Sequence, residues 1–119
     1  MRVDHIALAV REPQNSLRFY RDVIGIEGPV REEEYGFVIT TGNVSFTLFR
    51  GQPPSSSGEF HIGTSFHDAE SVRRRRAELL GQGVTEVEWC DEPEYVSMKI
   101  SDPDGYHVEL AWDANSAEP

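Results

Sequence analysis

The chain has 119 residues, one domain's worth, and its 38% hydrophobic and 10% aromatic content suits a modest core. Its formal net charge of −10 argues against nucleic acid or an anionic membrane as the main partner, since both need a basic surface. The single cysteine, Cys90, forbids an intrachain disulfide. No apolar run reaches membrane-spanning length and no leader pattern opens the chain, so a cytoplasmic protein is expected.

Residues 3–10 alternate apolar and small side chains, which predicts a strand. Pro13 suits the first turn of a helix, Leu17, Tyr20, Val23 and Ile24 recur at helical spacing, and Gly25 stops the helix. Three strands are expected at 26–33, 35–40 and 44–49, with the last two joined by the Thr41-Gly42-Asn43 turn. Pro29 weakens the first of them. The Gly-, Pro- and Ser-rich segment 51–58 is read as a linker. The pattern then recurs: a strand at 60–66, a helix at 69–80 ended by Gly81 and Gly83, and strands at 84–89, 95–101 and 106–112. Asp102-Pro103-Asp104-Gly105 has Pro and Gly where a type I turn favours them, and residues 113–119 form a small polar tail expected to fray.

The order is therefore β-α-β-β-β twice. A shift of 56 residues sets His5 on His61 and Gly25 on Gly81, and a shift of 62 sets Thr47 on Glu109. Strand parity then sorts the faces. Ile6, Leu8 and Val10, Phe60, Ile62 and Phe66, Phe46 and Leu48, Val96, Met98 and Ile100, and Val108, Leu110 and Trp112 take the core face. The other face carries His5, Ala7 and Ala9, Ser45, Thr47 and Phe49, His61, Gly63 and Ser65, Tyr95, Ser97, Lys99 and Ser101, and His107, Glu109 and Ala111. A solvated face would hold long charged side chains, whereas this one is small around two histidines and a glutamate, which suits a cavity.

His5, His61 and Glu109 offer two imidazole nitrogens and one hard oxygen, a facial set for a divalent metal with open positions for substrate. Fe, Mn, Ni and Zn are not distinguished. Singly, each histidine reads as an ordinary residue at a strand start; repeat equivalence, parity and small neighbours together favour ligation. Lys99, the only lysine, shares that parity and is the candidate for anion binding or proton transfer. Thr47, Phe49, Tyr95 and His107 are the substrate-binding candidates. His67 is expected to cap or face solvent, Arg73 to Arg76 to form a solvated helix face accompanied by Glu70 and Glu78, and Cys90 to be inert.

Val3-Asp4-His5-Ile6-Ala7-Leu8-Ala9-Val10, Ser16-Leu17-Arg18-Phe19-Tyr20 through Gly25, Phe60-His61-Ile62-Gly63 and Asp102-Pro103-Asp104-Gly105-Tyr106-His107-Val108-Glu109-Leu110 together resemble the vicinal-oxygen-chelate superfamily. That superfamily includes glyoxalase I, fosfomycin-resistance thiol transferases, extradiol dioxygenases and bleomycin-binding proteins. The resemblance covers residues 3–112. It implies an α+β fold of two βαβββ modules whose curled mixed sheets face each other around a metal. The whole chain would be a single glyoxalase-like domain, with module one at about 2–50, linker 51–58 and module two at about 59–113. It also implies metal ligands at His5, His61 and Glu109.

The departures narrow the chemistry. Thr47 stands where glyoxalase I enzymes carry a fourth acidic or amide ligand, Lys99 where extradiol dioxygenases and fosfomycin enzymes usually have Tyr, and Ala7 where fosfomycin enzymes tend to have Thr. Glutathione-dependent isomerisation is thereby disfavoured. The expected function is a metal-dependent enzyme acting on a small oxygen-chelating substrate, by dioxygenase, lyase, isomerase or thiol-transferase chemistry. The alternative is a non-catalytic protein that binds an antibiotic or metabolite, for which the negative charge and Phe49 would suit an aromatic or cationic ligand. A homodimer is expected, with His5 of one chain meeting His61 and Glu109 of the other.

Overall fold

The computed structural model describes residues 1–55 and 58–116. Ser56 and Ser57 of the expected linker and residues 117–119 of the expected tail lie outside the described residues. The chain divides into two compact units, Met1–Ser55 and Ser56–Pro119, a boundary inside the expected linker.

The first unit contains β1 (His5–Val10), α1 (Pro13–Arg18), a π-helical segment (Phe19–Ile24), then β2 (Val30–Glu33), β3 (Gly36–Thr41) and β4 (Val44–Arg50). Its sheet has the order β1-β4-β3-β2, with β1 parallel to β4 and the other pairs antiparallel. The helical spacing of residues 13–24 predicts one continuous helix; instead its second half widens, and Gly25 N–H reaches the Tyr20 carbonyl five residues back at 3.2 Å. Gly25 has φ 92°, the left-handed cap for which glycine has no steric penalty. Tyr20 is fully buried there, its ring 4.8 Å from that of Phe46 on β4. The expected strand at 26–33 shortens to four residues, because Gly28 and Pro29 break its start. Gly36 (φ 149°) opens β3 against the Leu48 carbonyl, so closely that no Cβ fits.

The second unit repeats the plan: β5 (His61–Ser65), α2 (Ala69–Gly81), β6 (Glu86–Glu92), β7 (Tyr95–Ser101) and β8 (His107–Asp113), in the order β5-β8-β7-β6. Strand β5 runs parallel to β8. The core parity is as expected for Leu8, Val10, Phe46, Leu48, Ile62, Val96, Met98, Ile100, Val108 and Leu110, all buried. Ile6, Phe66 and Trp112 are only half-buried, and Phe60, which precedes β5 and is not held in the ladder, stands 56% exposed. Asp68, not His67, caps α2, accepting the Ser71 N–H at 2.7 Å.

The arginine run is not simply a solvated face. Arg73 and Arg76 reach from α2 to β6, the outer strand of the sheet. Arg73 donates to Asp91 at 2.9 and 3.1 Å, and Arg76 to Glu86 at 2.6 and 3.0 Å. Arg76 also lies 4.2 Å over the Trp89 ring. The i, i+3 spacing puts both guanidiniums on one side of the helix, and their planar forks match carboxylates.

Candidate functional site

Two surfaces carry the expected chemistry, one in each unit. In the second, β5 and β8 lie side by side, with His61 opposite His107 and Gly63 opposite Glu109. On that face His61 Nε2 stands 3.3 Å from Glu109 Oε2. His61 Nδ1 is 3.1 Å from the Glu59 carbonyl oxygen. A carbonyl only accepts, so Nδ1 carries the proton and, in the neutral ring, Nε2 presents its lone pair to the carboxylate.

The other oxygen of Glu109 accepts a short hydrogen bond from the Tyr95 hydroxyl. Small residues make this possible. Tyr95 enters β7 opposite Asp113, and the pair Ser97 and Ala111 lies between it and Glu109 on the same face. Burial, then the hydrogen bond to Glu109, pushes the Tyr95 phenol above its ordinary range, so it remains a neutral donor. Lys99 faces Glu109 directly across the β7–β8 pair and Glu88 across the β6–β7 pair. Its side chain is 13% exposed and its amine lies 4.0 Å from Glu88 Oε1. His107 joins the same face beside His61 and Ser101. Cys90 has its thiol pushed up by burial and by the carboxylates of Glu92, Glu88 and Asp91, so it is no nucleophile at neutral pH.

In the first unit, His5 pairs with Ser45, and Ala7 with Thr47. His5 Nδ1 is 2.7 Å from Asp4 Oδ1, so here too Nδ1 is held locally and Nε2 is free. An open concavity of about 440 Å³ adjoins it, with walls that include Arg2, His5, Arg31, Tyr35, Asn43 and Thr47. Phe49 is not among its walls; the ring folds toward Gly51 and Ala9.

The structure thus brings His61, Glu109 and Tyr95 together, with Lys99 and His107 on the same sheet face, and sets His5 and Thr47 on the matching face of the other unit. Among the described residues no three His, Cys, Asp or Glu side chains form a group arranged to hold a metal. Sequence reasoning missed Asp4, Glu59 and Arg31. Asp4 had a signal, its adjacency to His5; Glu59 acts through its backbone and had none. Arg31 was legible only through the pairing of β2, which Pro29 obscured. No helix of the described residues is long and apolar enough to cross a membrane.

Two β-α-β-β-β units, each with its first and last strands parallel and adjacent, define a paired-module α+β protein. A family model described as the Glyoxalase/Bleomycin resistance protein/Dioxygenase superfamily matches residues 2–110, and the chain belongs to that superfamily. It is similar to a manganese-dependent 2,3-dihydroxybiphenyl 1,2-dioxygenase from Geobacillus genomosp. 3, at 26% identity over 113 residues, covering 92% of this chain and 36% of that protein. The chain spans little more than a third of the length of this curated relative. Among solved structures, lactoylglutathione lyase from Agrobacterium tumefaciens matches with a TM-score of 0.75 at 21% identity, over 93% of this chain and 92% of that one. The fosfomycin resistance protein FosX from Listeria monocytogenes matches with a TM-score of 0.80 at 16% identity, over 94% and 93%. At these identities the structural likeness establishes the fold.

Proposed function

We propose that this protein is a metal-dependent enzyme acting on a small substrate that presents two neighbouring oxygens, with His5, His61 and Glu109 as metal ligands. The observation that carries the reading is the facing pair of His61 Nε2 and Glu109 Oε2 at 3.3 Å. Two acceptors turned toward each other repel unless a proton or a cation lies between them. Donors bound about 2.0–2.2 Å from one ion stand about 2.8–3.6 Å apart at octahedral to tetrahedral angles, so the spacing fits a cation. His61 and His5 each have Nδ1 engaged by an oxygen, the outer contact that fixes a ligating imidazole. Tyr95 does the same for Glu109.

A bound divalent ion would supply a Lewis acid for developing oxyanion or enolate charge. The side chains do the rest. Tyr95 and the Glu59 carbonyl keep Glu109 and His61 oriented, and Lys99 stands where it can bind a substrate oxygen or hold a proton. Thr47, on the sheet face of His5, and His107, on that of His61, are the proposed substrate contacts. The curated relative is named as manganese-dependent, so Mn(II) is the first ion to test and dioxygenation the first reaction, ahead of lyase, isomerase or thiol-transferase chemistry.

Titration of metal-free protein with Mn(II), by calorimetry with elemental analysis of the product, tests the reading. One ion per chain is expected, with affinity at least tenfold weaker in His61→Ala and Glu109→Gln. Unchanged binding in both variants would move the site elsewhere. No uptake of any first-row divalent ion by the parent would favour the binding-protein alternative.

A further inference from the structure

In a chain of net charge −10, the concavity beside His5 is walled by two arginines, Arg2 and Arg31. Strand pairing explains the second. Arg31 pairs with Val38, Val38 with Thr47, and Thr47 with Ala7, so all four share the sheet face that carries His5. The guanidinium is held by its own hairpin: Nε donates to Glu33 Oε1 at 2.5 Å. Glu33 occupies only the Nε donor of five, which leaves N–H groups on the two terminal nitrogens in a fixed plane.

The rest of the lining is equally rich in donors. Arg2 has no hydrogen-bond or ion-pair partner among the described residues, and Asn43 and Thr47 add an amide and a hydroxyl. The one carboxylate in the wall, Asp4, has Oδ1 engaged by His5. A polar recess with a braced guanidinium, a second free one and few acceptors is poorly matched to a cation or an apolar ring. It matches an anion with several oxygens.

We propose that this concavity receives an oxyanion of the substrate, a carboxylate or phosphoryl group, with Arg31 as the specificity-determining residue and Arg2 as a supporting charge. The inference rests on the reading that His5 and its sheet face belong to the substrate site. It names the substrate class: small molecules that carry a negatively charged oxygen group beside the oxygens offered to the metal. Glu33 both positions Arg31 and competes with the ligand for it.

The test uses the full chain without metal, so that it does not depend on activity. Benzoate and phenylphosphonate are titrated against ¹⁵N-labelled protein, with benzamide as the neutral control. Shifts are expected at the Arg31 side-chain Nε and at the Asn43 and Thr47 amides. Arg31→Met should weaken binding about tenfold and Arg2→Gln less, while Arg31→Lys falls between parent and Arg31→Met. Glu33→Gln should tighten binding, which a merely structural role for Arg31 would not produce. Whichever probe binds more tightly assigns the group. Benzamide binding as well as benzoate, or Arg31→Met binding both anions like the parent, would overturn the inference. His61→Ala keeps the two readings separate. Anion binding that survives in it while metal uptake is lost leaves this proposal standing, and loss of Arg31-dependent binding with metal uptake intact removes this proposal alone.

Discussion

Asp102 is 5% exposed, and its Oδ1 accepts the backbone N–H groups of Asp104 and Tyr106 at 2.8 and 2.9 Å. Its own carbonyl accepts the Gly105 N–H at 3.1 Å, closing the turn, while Gly105 takes φ 93°. One side chain therefore fixes the hairpin that sets Lys99 opposite Glu109. Asp102→Ala leaves two N–H groups without their acceptor and is expected to destabilise the protein by about 2–3 kcal/mol in urea unfolding. Asp102→Asn should lie between, because its amide oxygen still accepts but without charge. A substitution to Ala that left stability unchanged would show that the turn holds itself. At this scale the sequence was informative about residue type. It marked the Asp-Pro-Asp-Gly turn and the two histidines, but not which ring nitrogen each histidine leaves free.

Helix α2 shows why an element cannot be read in isolation. Four successive arginines span most of a helical circumference, and with Glu70 and Glu78 nearby they look like a face for water. Packing over β7 and β8 brings the helix beside β6, and there Arg73 and Arg76 find Asp91 and Glu86. Those partners lie 18 and 10 residues away, beyond any local pattern. Arg73 holds the Asp91 carboxyl below its ordinary value of 3.8. A depressed carboxylate contributes stability that is complete above the unfolded pKa and lost as pH falls through the folded one. Asp91→Asn should therefore lower the melting temperature by about one to four degrees at pH 7. The deficit should begin to shrink as pH falls below about 4, the unfolded carboxylate range, and close as pH falls through the lowered pKa of the paired carboxyl. A deficit that persisted undiminished at pH 2.5 would point to packing rather than charge.

For the whole molecule, the proposed metal ligands are drawn from both units. His61 and Glu109 belong to one unit and His5 to the other. We propose a homodimer in which His5 of one chain completes the site of another, since a single four-stranded sheet is too open to surround an ion and two-fold symmetry would create two equivalent sites. Mixing His5→Ala with Glu109→Ala protein under subunit exchange tests this. Each variant alone should bind metal weakly. Random pairing makes half of the dimers mixed, each with one intact site, so about one ion per four chains should be recovered. No recovery after demonstrated exchange would place each site within one chain.

The sequence by itself determined the order of elements, the duplication and the buried face of most strands, because these follow from local periodicity and turn chemistry. It also singled out His61 and Glu109, since parity assigns both to one face wherever their strands lie. What it could not determine depends on pairing between distant segments. Only the parallel alignment of β5 with β8 brings His61 to 3.3 Å from Glu109, and only the β7–β8 register lets Tyr95 reach the same carboxylate. The ladder of β2 on β3 likewise turns Arg31 toward the face of His5. Local chemistry chooses which way a side chain faces along its own strand. Its neighbours are chosen by the long-range hydrogen bonds that align one strand with the next, and these form only when the chain folds.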